Sequence, residues 1–323
     1  MQEHEPSASQ PAFDAIGDLA PHRNQGLISR DPARYTELVR NISSYGIYLL
    51  SRDGLIRSWN RGAALITGYA EREVLGQSYA MLFPESALRE GLPLKGLTFA
   101  RTSGHSHDEQ ARRKRSGVEF TALCTLDAVR AGEGEISGFV EVFQDITDQK
   151  RREDQLYQRA TRDALTGLFN RGHFTEMATL EIGRARRFAE PLSVIMLDID
   201  HFKKINDSYG HDTGDKAIVR LAQTVSANIR KIDFAGRLGG EEFAIMLPRA
   251  NKEPAAEAAS RLRLLISEQR VPVNGREIGY TVSMGVAALR PTTRDLQELL
   301  RNADAALYNA KREGRNRVEL WFE

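Results

Sequence analysis

The feature that most constrains the fold is a change of hydrophobic period in the second half of the chain. Residues 191–197 (PLSVIML) form a nearly continuous apolar run, suited to a strand buried on both faces. Within 217–229, Ile218, Leu221, Ala222, Val225 and Ile229 then fall on one stripe of a helix. A second buried strand is expected over 243–247, a helix over 254–266 and a strand over 280–287. A helix over 296–311 follows, with Leu296, Leu299, Leu300, Ala303 and Leu307 turned inward. This order predicts an α/β or α+β domain with its strands central and helices packed on them. No internal repeat is visible.

The first half reads differently. Residues 1–30 are rich in Gln, Ser, Pro, His and acids without a clear period, and are expected to be a mobile tail. Order is expected from Asp31-Pro32, an N-cap followed by a proline at the first helical position. Strands over 46–51 and 55–60 are joined by a turn at Asp53-Gly54. Short helical pieces follow over 63–69, 71–75 and 79–83, then strand-like runs near 108–113, 119–129 and 135–143. This gives a first domain over 31–147. Residues 148–162 are charged, lack Gly and Pro, and are expected to form a helical linker. Leu156 and Ala160 supply an i, i+4 pair there, without a sustained heptad. The second domain occupies 163–323. Two domains also suit 323 residues at about 150 per domain.

Composition removes several classes. A net charge of +1 argues against coating nucleic acid or an anionic membrane. The single cysteine, Cys124, excludes an internal disulfide framework. The longest uncharged stretch, about a dozen residues over 278–289, is short of the roughly 20 a membrane span needs. The start, MQEHEPSASQP, lacks the basic-then-apolar pattern of a signal peptide, so a cytoplasmic protein is expected.

Two clusters can carry chemistry. In Asp198-Ile199-Asp200, at the end of a buried strand, alternation puts the two carboxylates on one side. A carboxylate there is costly unless paired or bound to a cation; alternatively Asp200 caps a helix starting at Phe202. In Arg237-Leu238-Gly239-Gly240-Glu241-Glu242-Phe243, two glycines let the backbone turn sharply against a bulky ligand. Alone this is an ordinary charged hairpin. Combined with Asp198, three or four carboxylates could converge on one point, which suits Mg²⁺ and a metal-bridged nucleotide.

The GGEEF run with its upstream Asp-Ile-Asp resembles the GGDEF family of diguanylate cyclases. Further ordered matches are DALTGLFNR (163–171), DIDHFKKIND (198–207), GHDTGD (210–215), SMGV (283–286) and ADAALYNAKREGRNR (303–317). The resemblance implies a central mixed sheet surrounded by helices. It implies that Asp198, the Ile199 carbonyl and Glu241 hold Mg²⁺ or Mn²⁺, with Glu242 a further ligand or the group that helps deprotonate the ribose 3′-hydroxyl. Asn206 and Asp215 would read the guanine edge, and Lys203, Lys311 and Arg315 would neutralise the triphosphate. Gly239 and Gly240 would admit the α-phosphate and ribose. Two GTP would become cyclic di-GMP and two pyrophosphates on a homodimer. Arg230-x-x-Asp233, with five residues between Asp233 and Gly239, resembles the family's product-binding inhibitory site, where Arg261 or Arg263 would add a second fork. By itself that motif is a surface ion pair.

Residues 32–147 resemble a PAS sensor domain, an antiparallel sheet with short helices. The resemblance rests on DGLIRSWN (53–60), ALITGY (64–69), VLG (74–76) and DIT (145–147). PAS domains hold haem, flavin, a small metabolite or nothing, and the ligand here is not identified. Cys124 lies in a strand rather than in the helical motif of flavin photoadducts. His105 and His107 are the candidate haem ligands, although a polar loop explains SGHSHD equally; Trp59 reads as core or pocket wall. Two rival functions stand beside the cyclase. A non-catalytic receptor for GTP or cyclic di-GMP is disfavoured by the intact acids and glycines. A sensor-adaptor acting through PAS contacts leaves those residues unexplained.

Overall fold

The computed structural model describes residues 32–273 and 276–322. The tail expected over 1–30 and the cap at Asp31 lie outside these residues. The chain divides into two compact units between Lys150 and Arg151. Among the described residues no helix is long and apolar enough to cross a membrane.

The first unit opens with α1 (Pro32–Asn41), β1 (Gly46–Ser51), α2 (Arg61–Thr67) and α3 (Glu71–Val74). A 3₁₀ turn at Tyr79–Leu82 leads to α4 (Glu85–Arg89) and α5 (Leu92–Ser103), and then to β2 (His105–Arg113), β3 (Glu119–Arg130) and β4 (Ile136–Asp145). The strands form one antiparallel sheet in the order β1-β4-β3-β2. Alternation along β3 sends Phe120, Ala122, Cys124 and Leu126 into the core, where they meet Tyr48, Trp59, Leu97, Phe139 and Phe143. Trp59 is therefore a core residue, and its indole N–H donates to the Tyr69 carbonyl at 3.0 Å.

Two expectations are corrected here. Residues 55–60 do not form a strand. The Asp53-Gly54 turn closes and Leu50 bridges Ile56, but Ile56 then donates to Gln77 and accepts from Gly76. Asn60 leaves the strand register altogether. Its Oδ1 caps α2 at the Ala63 N–H and accepts from Ile47, and its amide donates to the Ile42 and Tyr45 carbonyls. The helices α4 and α5 occupy a stretch for which no element was expected; Pro93 stands in the first turn of α5, where its missing N–H costs nothing, and Gly96 is the poor helix former. Burial of Leu97 and Ala100 outweighs that local cost. Secondly, SGHSHD is not a loop. His105 and His107 open β2 with Ser106 turned inward and both imidazoles on the exposed face, bonded to Asp127 and Thr125 of β3. Neither faces the core, so these residues do not fit an axial ligand of a buried haem.

A charged pair is sealed inside this core. Arg112 and Glu141, 3% and 1% exposed, form an ion pair; the Tyr48 hydroxyl donates to Glu141 at 2.6 Å, and the Arg112 guanidinium lies 3.8 Å from the Phe83 ring centre. Burial, reinforced by the Glu141 charge, keeps the Tyr48 phenol protonated well above its ordinary range. Burial also pushes the Cys124 thiol up to about 12, despite Arg112 beside it. Removing one partner leaves a desolvated charge unmatched. Glu141→Ala is therefore expected to lower stability by about 3–5 kcal/mol in urea unfolding. The double variant Arg112→Met/Glu141→Leu should lose far less, because neither charge remains buried.

At the end of β4, Asp145 anchors the next helix, α6 (Thr147–Thr161): its carboxylate accepts from the Thr147 N–H at 3.0 Å and from Lys114 at 2.9 Å. Burial alone would raise this carboxyl, but those hydrogen bonds hold it below its ordinary value.

The second unit contains α7 (Arg171–Phe188), β5 (Leu192–Ile199), α8 (Phe202–Tyr209), α9 (His211–Asn228), β6 (Phe234–Gly239), β7 (Glu242–Pro248) and α10 (Lys252–Ser267). The hairpin β8 (Arg270–Val273) and β9 (Arg276–Gly279), then β10 (Val282–Ala288), α11 (Leu296–Arg312) and β11 (Val318–Leu320), complete it. A five-stranded sheet runs β11-β10-β5-β7-β6, antiparallel except for the β10–β11 pair. All eight positions of β5 are buried, as its apolar run demands. Ile195, Leu197 and Ile199 face α9 and α10; Leu192, Val194 and Met196 face α7 and α11. The architecture is a mixed sheet with helices on both faces.

Candidate active site

The site lies where β5, the β6–β7 turn and the end of α11 meet. Asp198 sits on β5 opposite Glu242 of β7 and Ser283 of β10. Its side chain is 7% exposed, and Oδ1 lies 2.8 Å from Nζ of Lys311. Burial pushes the Asp198 carboxyl up to about 6. The Lys311 ammonium opposes that shift, and the negative charges of Glu241 and Glu242 add to it. The three carboxylates therefore share one electrostatic neighbourhood.

The β6–β7 turn reaches this place because Gly239 and Gly240 take φ of 158° and 50°, the second a left-handed conformation that side chains disfavour. Arg237 stiffens the turn: its Nε donates to the Gly240 carbonyl at 2.9 Å and its Nη1 reaches Asp163 Oδ1 and Oδ2 at 3.2 and 3.3 Å. Burial would raise the Asp163 carboxyl, but hydrogen bonds from Thr166 and Arg237 win and hold it below its ordinary value. Arg237 and Asp163 stand in motifs read from the sequence, yet their pairing had no sequence signal. They are 74 positions apart.

On the other side, α8 carries Lys203, exposed, and Asn206, half-buried. The Asn206 Oδ1 is buried without a partner among the described residues. It is pressed on Gly214, where a Cβ would come within 2.0 Å of it. A side chain at 214 would have to displace the Asn206 amide. Asp215 follows Gly214 directly on α9, with its side chain exposed.

Asp200 is separated from this group. It caps no helix: α8 begins after His201 at φ 57°, with no side-chain cap. Instead Asp200, 5% exposed, accepts from the hydroxyls of Thr281 at 2.7 Å and Ser283 at 2.6 Å and from the Asn316 N–H at 3.0 Å. Arg315 lies in that same turn after α11, exposed, with φ 63°.

The donors fit a hard divalent cation in kind, being all oxygen: Asp198, Glu241, Glu242 and the Ile199 carbonyl. Mg²⁺ asks for one or two protein carboxylates, with water and phosphate oxygens for the rest. Among the described residues, no three acidic, histidine or cysteine side chains close into a metal-holding group. The expected convergence of three or four carboxylates on one point is thus not formed. Lys311 takes the near side of Asp198, and Glu242 is exposed.

The Arg-x-x-Asp motif folds as a closed turn rather than an ion pair. Asp233 accepts the Arg230 backbone N–H at 2.9 Å and returns its own N–H to the Arg230 carbonyl at 3.0 Å. Burial raises the Asp233 carboxyl against the pull of Arg230 and Arg261, so Arg261 is within electrostatic reach. Arg263 is not gathered here: it donates to Asn316, to the carbonyl at 3.2 Å and to Oδ1 at 2.8 Å. Two residues further along α10, it projects about 200° around the helix from Arg261.

Comparison with known proteins agrees with this geometry. Residues 160–317 match the family "Diguanylate cyclase, GGDEF domain", and residues 33–146 match the PAS fold. A diguanylate cyclase of Vibrio cholerae serotype O1 is 33% identical over 286 residues, 88% of each chain. The probable diguanylate cyclase DgcC of Escherichia coli K12 is 39% identical over 178 residues, 55% of this chain and 48% of that protein, so the match spans about half the length of that relative. The crystal structure of the coiled coil and GGDEF domain of DgcB from Caulobacter crescentus, in complex with c-di-GMP, superposes with a TM-score of 0.51 at 32% identity, covering 54% of this chain and 93% of that one. On the 33% identity that runs through both units, and on the two domains matched in order, the chain belongs to the GGDEF family of diguanylate cyclases and carries a PAS fold ahead of its GGDEF domain.

Proposed function

We propose that this chain condenses two GTP into cyclic di-GMP and two pyrophosphates. The observation that carries this reading is the charge arrangement at the end of β5. Asp198 is buried, crowded by Glu241 and Glu242, and balanced by Lys311, all beside a glycine turn with open space around both glycines. Asp198, the Ile199 carbonyl and Glu241 would hold Mg²⁺ or Mn²⁺, which supplies charge neutralisation at the α-phosphate. Lys203, Lys311 and Arg315 bind the triphosphate. Asn206 and Asp215 select guanine, since a carboxylate facing the N1–H and 2-amino donors rejects adenine. Glu242 takes the proton of the ribose 3′-hydroxyl. The 3′-oxygen bonds to the α-phosphorus of the other GTP as the bond from that phosphorus to pyrophosphate breaks; the same step in the opposite direction closes the ring.

Each chain binds one GTP, so the reaction needs two copies, and their alignment supplies proximity. Cyclic di-GMP feeds back at Arg230, Asp233 and Arg261. The PAS unit regulates through α6, and a GTP-consuming enzyme of this kind works in the cytoplasm. Inserting two residues in α6 turns its C-terminal end by about 200°, and is expected to change basal activity or its response to signal. Unchanged rates would disconnect α6 from regulation. Incubation with GTP and MgCl₂, followed by anion-exchange analysis, tests the main reading: cyclic di-GMP and pyrophosphate should accumulate in a 1:2 ratio, about as the stoichiometry of the reaction requires. Tight GTP binding without turnover would favour a receptor.

A further inference from the structure

The turn between α11 and β11 holds three successive residues at positive φ: Gly314 at 119°, Arg315 at 63° and Asn316 at 46°. Glycine takes this conformation freely and asparagine fairly readily, whereas Arg does so only where the surroundings hold it there. Two side chains from distant parts of the fold impose it here. Asp200, at the end of β5, accepts the Asn316 N–H at 3.0 Å while Thr281 and Ser283 satisfy the rest of its carboxylate. Arg263, on α10, grips the Asn316 carbonyl and Oδ1 through one nitrogen. The Arg315 N–H closes the turn on the Ala310 carbonyl at 3.0 Å. The outcome of these bonds is the direction in which the exposed Arg315 side chain leaves the backbone.

We propose that Asp200 and Arg263 are positioning residues for Arg315, holding a strained turn so that its guanidinium is pre-set for the phosphates of GTP. Arg263 then serves substrate binding and not product inhibition, although it lies two residues from Arg261. The carboxylate of Asp200 is committed to the turn and to β10, and contributes nothing to a cation. This assignment rests on the reading that Arg315 meets the triphosphate. Pre-ordering matters because a flexible arginine must give up conformational freedom on binding, which weakens substrate affinity without altering the chemical step.

The test is steady-state kinetics on the full chain with GTP, together with cyclic di-GMP inhibition curves and thermal melting. Arg263→Ala should raise KM for GTP about tenfold, the size of one lost charged hydrogen bond. Its kcat, its inhibition by cyclic di-GMP and its melting curve should stay near those of the parent. Arg263→Lys, which keeps one donor, should fall between. Arg315→Ala should raise KM further, and adding Arg263→Ala to it should have no additional effect, because Arg263 acts only through Arg315. If the two effects multiply instead, Arg263 acts on its own and the proposal fails. A normal KM with weakened inhibition in Arg263→Ala would make it an inhibitory-site arginine. If Arg315→Ala itself leaves KM unchanged, the phosphate role of Arg315 is what falls, and the proposal with it. Asp200→Asn should reproduce the raised KM; a variant that melts like the parent with normal KM removes Asp200 from the assignment. Should that buried variant not fold, the Arg263 series decides.

Discussion

Glu242→Gln is expected to leave the chain folded and to lower cyclic di-GMP formation about a hundredfold to ten-thousandfold, the range for loss of a general base. Glu242 opens β7, exposed, in register with Asp198 and in a turn shaped by Gly239 and Gly240. Glutamine keeps its size and β position, so packing gives no reason for instability. It also removes one of the two negative charges that push the Asp198 carboxyl upward, so the folded state should be no less stable at neutral pH. Product formation by anion-exchange chromatography and a melting curve on the same preparation separate the two effects. Parent-like turnover in a folded Glu242→Gln protein would remove Glu242 from the chemistry.

Arg230→Ala should weaken inhibition by cyclic di-GMP about thirtyfold or more. A buried, hydrogen-bonded charge pair with a ligand is typically worth roughly 2–5 kcal/mol, and each 1.4 kcal/mol is tenfold. Truncation is clean here for a local reason: Asp233 holds the backbone N–H of Arg230, not its guanidinium, so the turn survives loss of the side chain. Initial rates without added product should be unchanged. Arg261→Ala should show the same pattern, because its charge acts on Asp233. Initial velocity against added cyclic di-GMP measures both. Superimposable inhibition curves would leave the motif as nothing more than a turn.

Much of this was legible in local order. The apolar run of β5 and the stripes of α9 and α11 read correctly because period and burial are coupled within a few residues. The GGEEF turn read correctly because φ at Gly240 is a local property. Misreadings arose where a distant partner outbid the local signal. Residues 55–60 have strand chemistry, but Asn60 is drawn off to cap α2 and tie the Ile42 and Tyr45 carbonyls. α5, for which nothing was expected, forms across Gly96 because the sheet supplies a surface on which Leu97 and Ala100 are buried. His105 and His107 could be placed on the outer face only once β2 was paired with β3.

By itself, the sequence determined the two-domain order, the strands β5, β7 and β10 and the helices α9, α10 and α11 of the second unit, and which residue types could serve a nucleotide and a divalent cation. Each of these follows from spacing within one element or one turn. Tertiary structure alone decided how those residues are divided. Asp198 faces Lys311 and the hairpin acids, while Asp200, two positions away, serves a turn 116 residues downstream. The charge of Arg261 acts on Asp233, whereas Arg263 bonds Asn316. The reason is geometric: residues i and i+2 share a face of a strand and lie on opposite sides of a helix. What each then meets depends on the elements packed against that face, and no spacing within β5 or α10 records it.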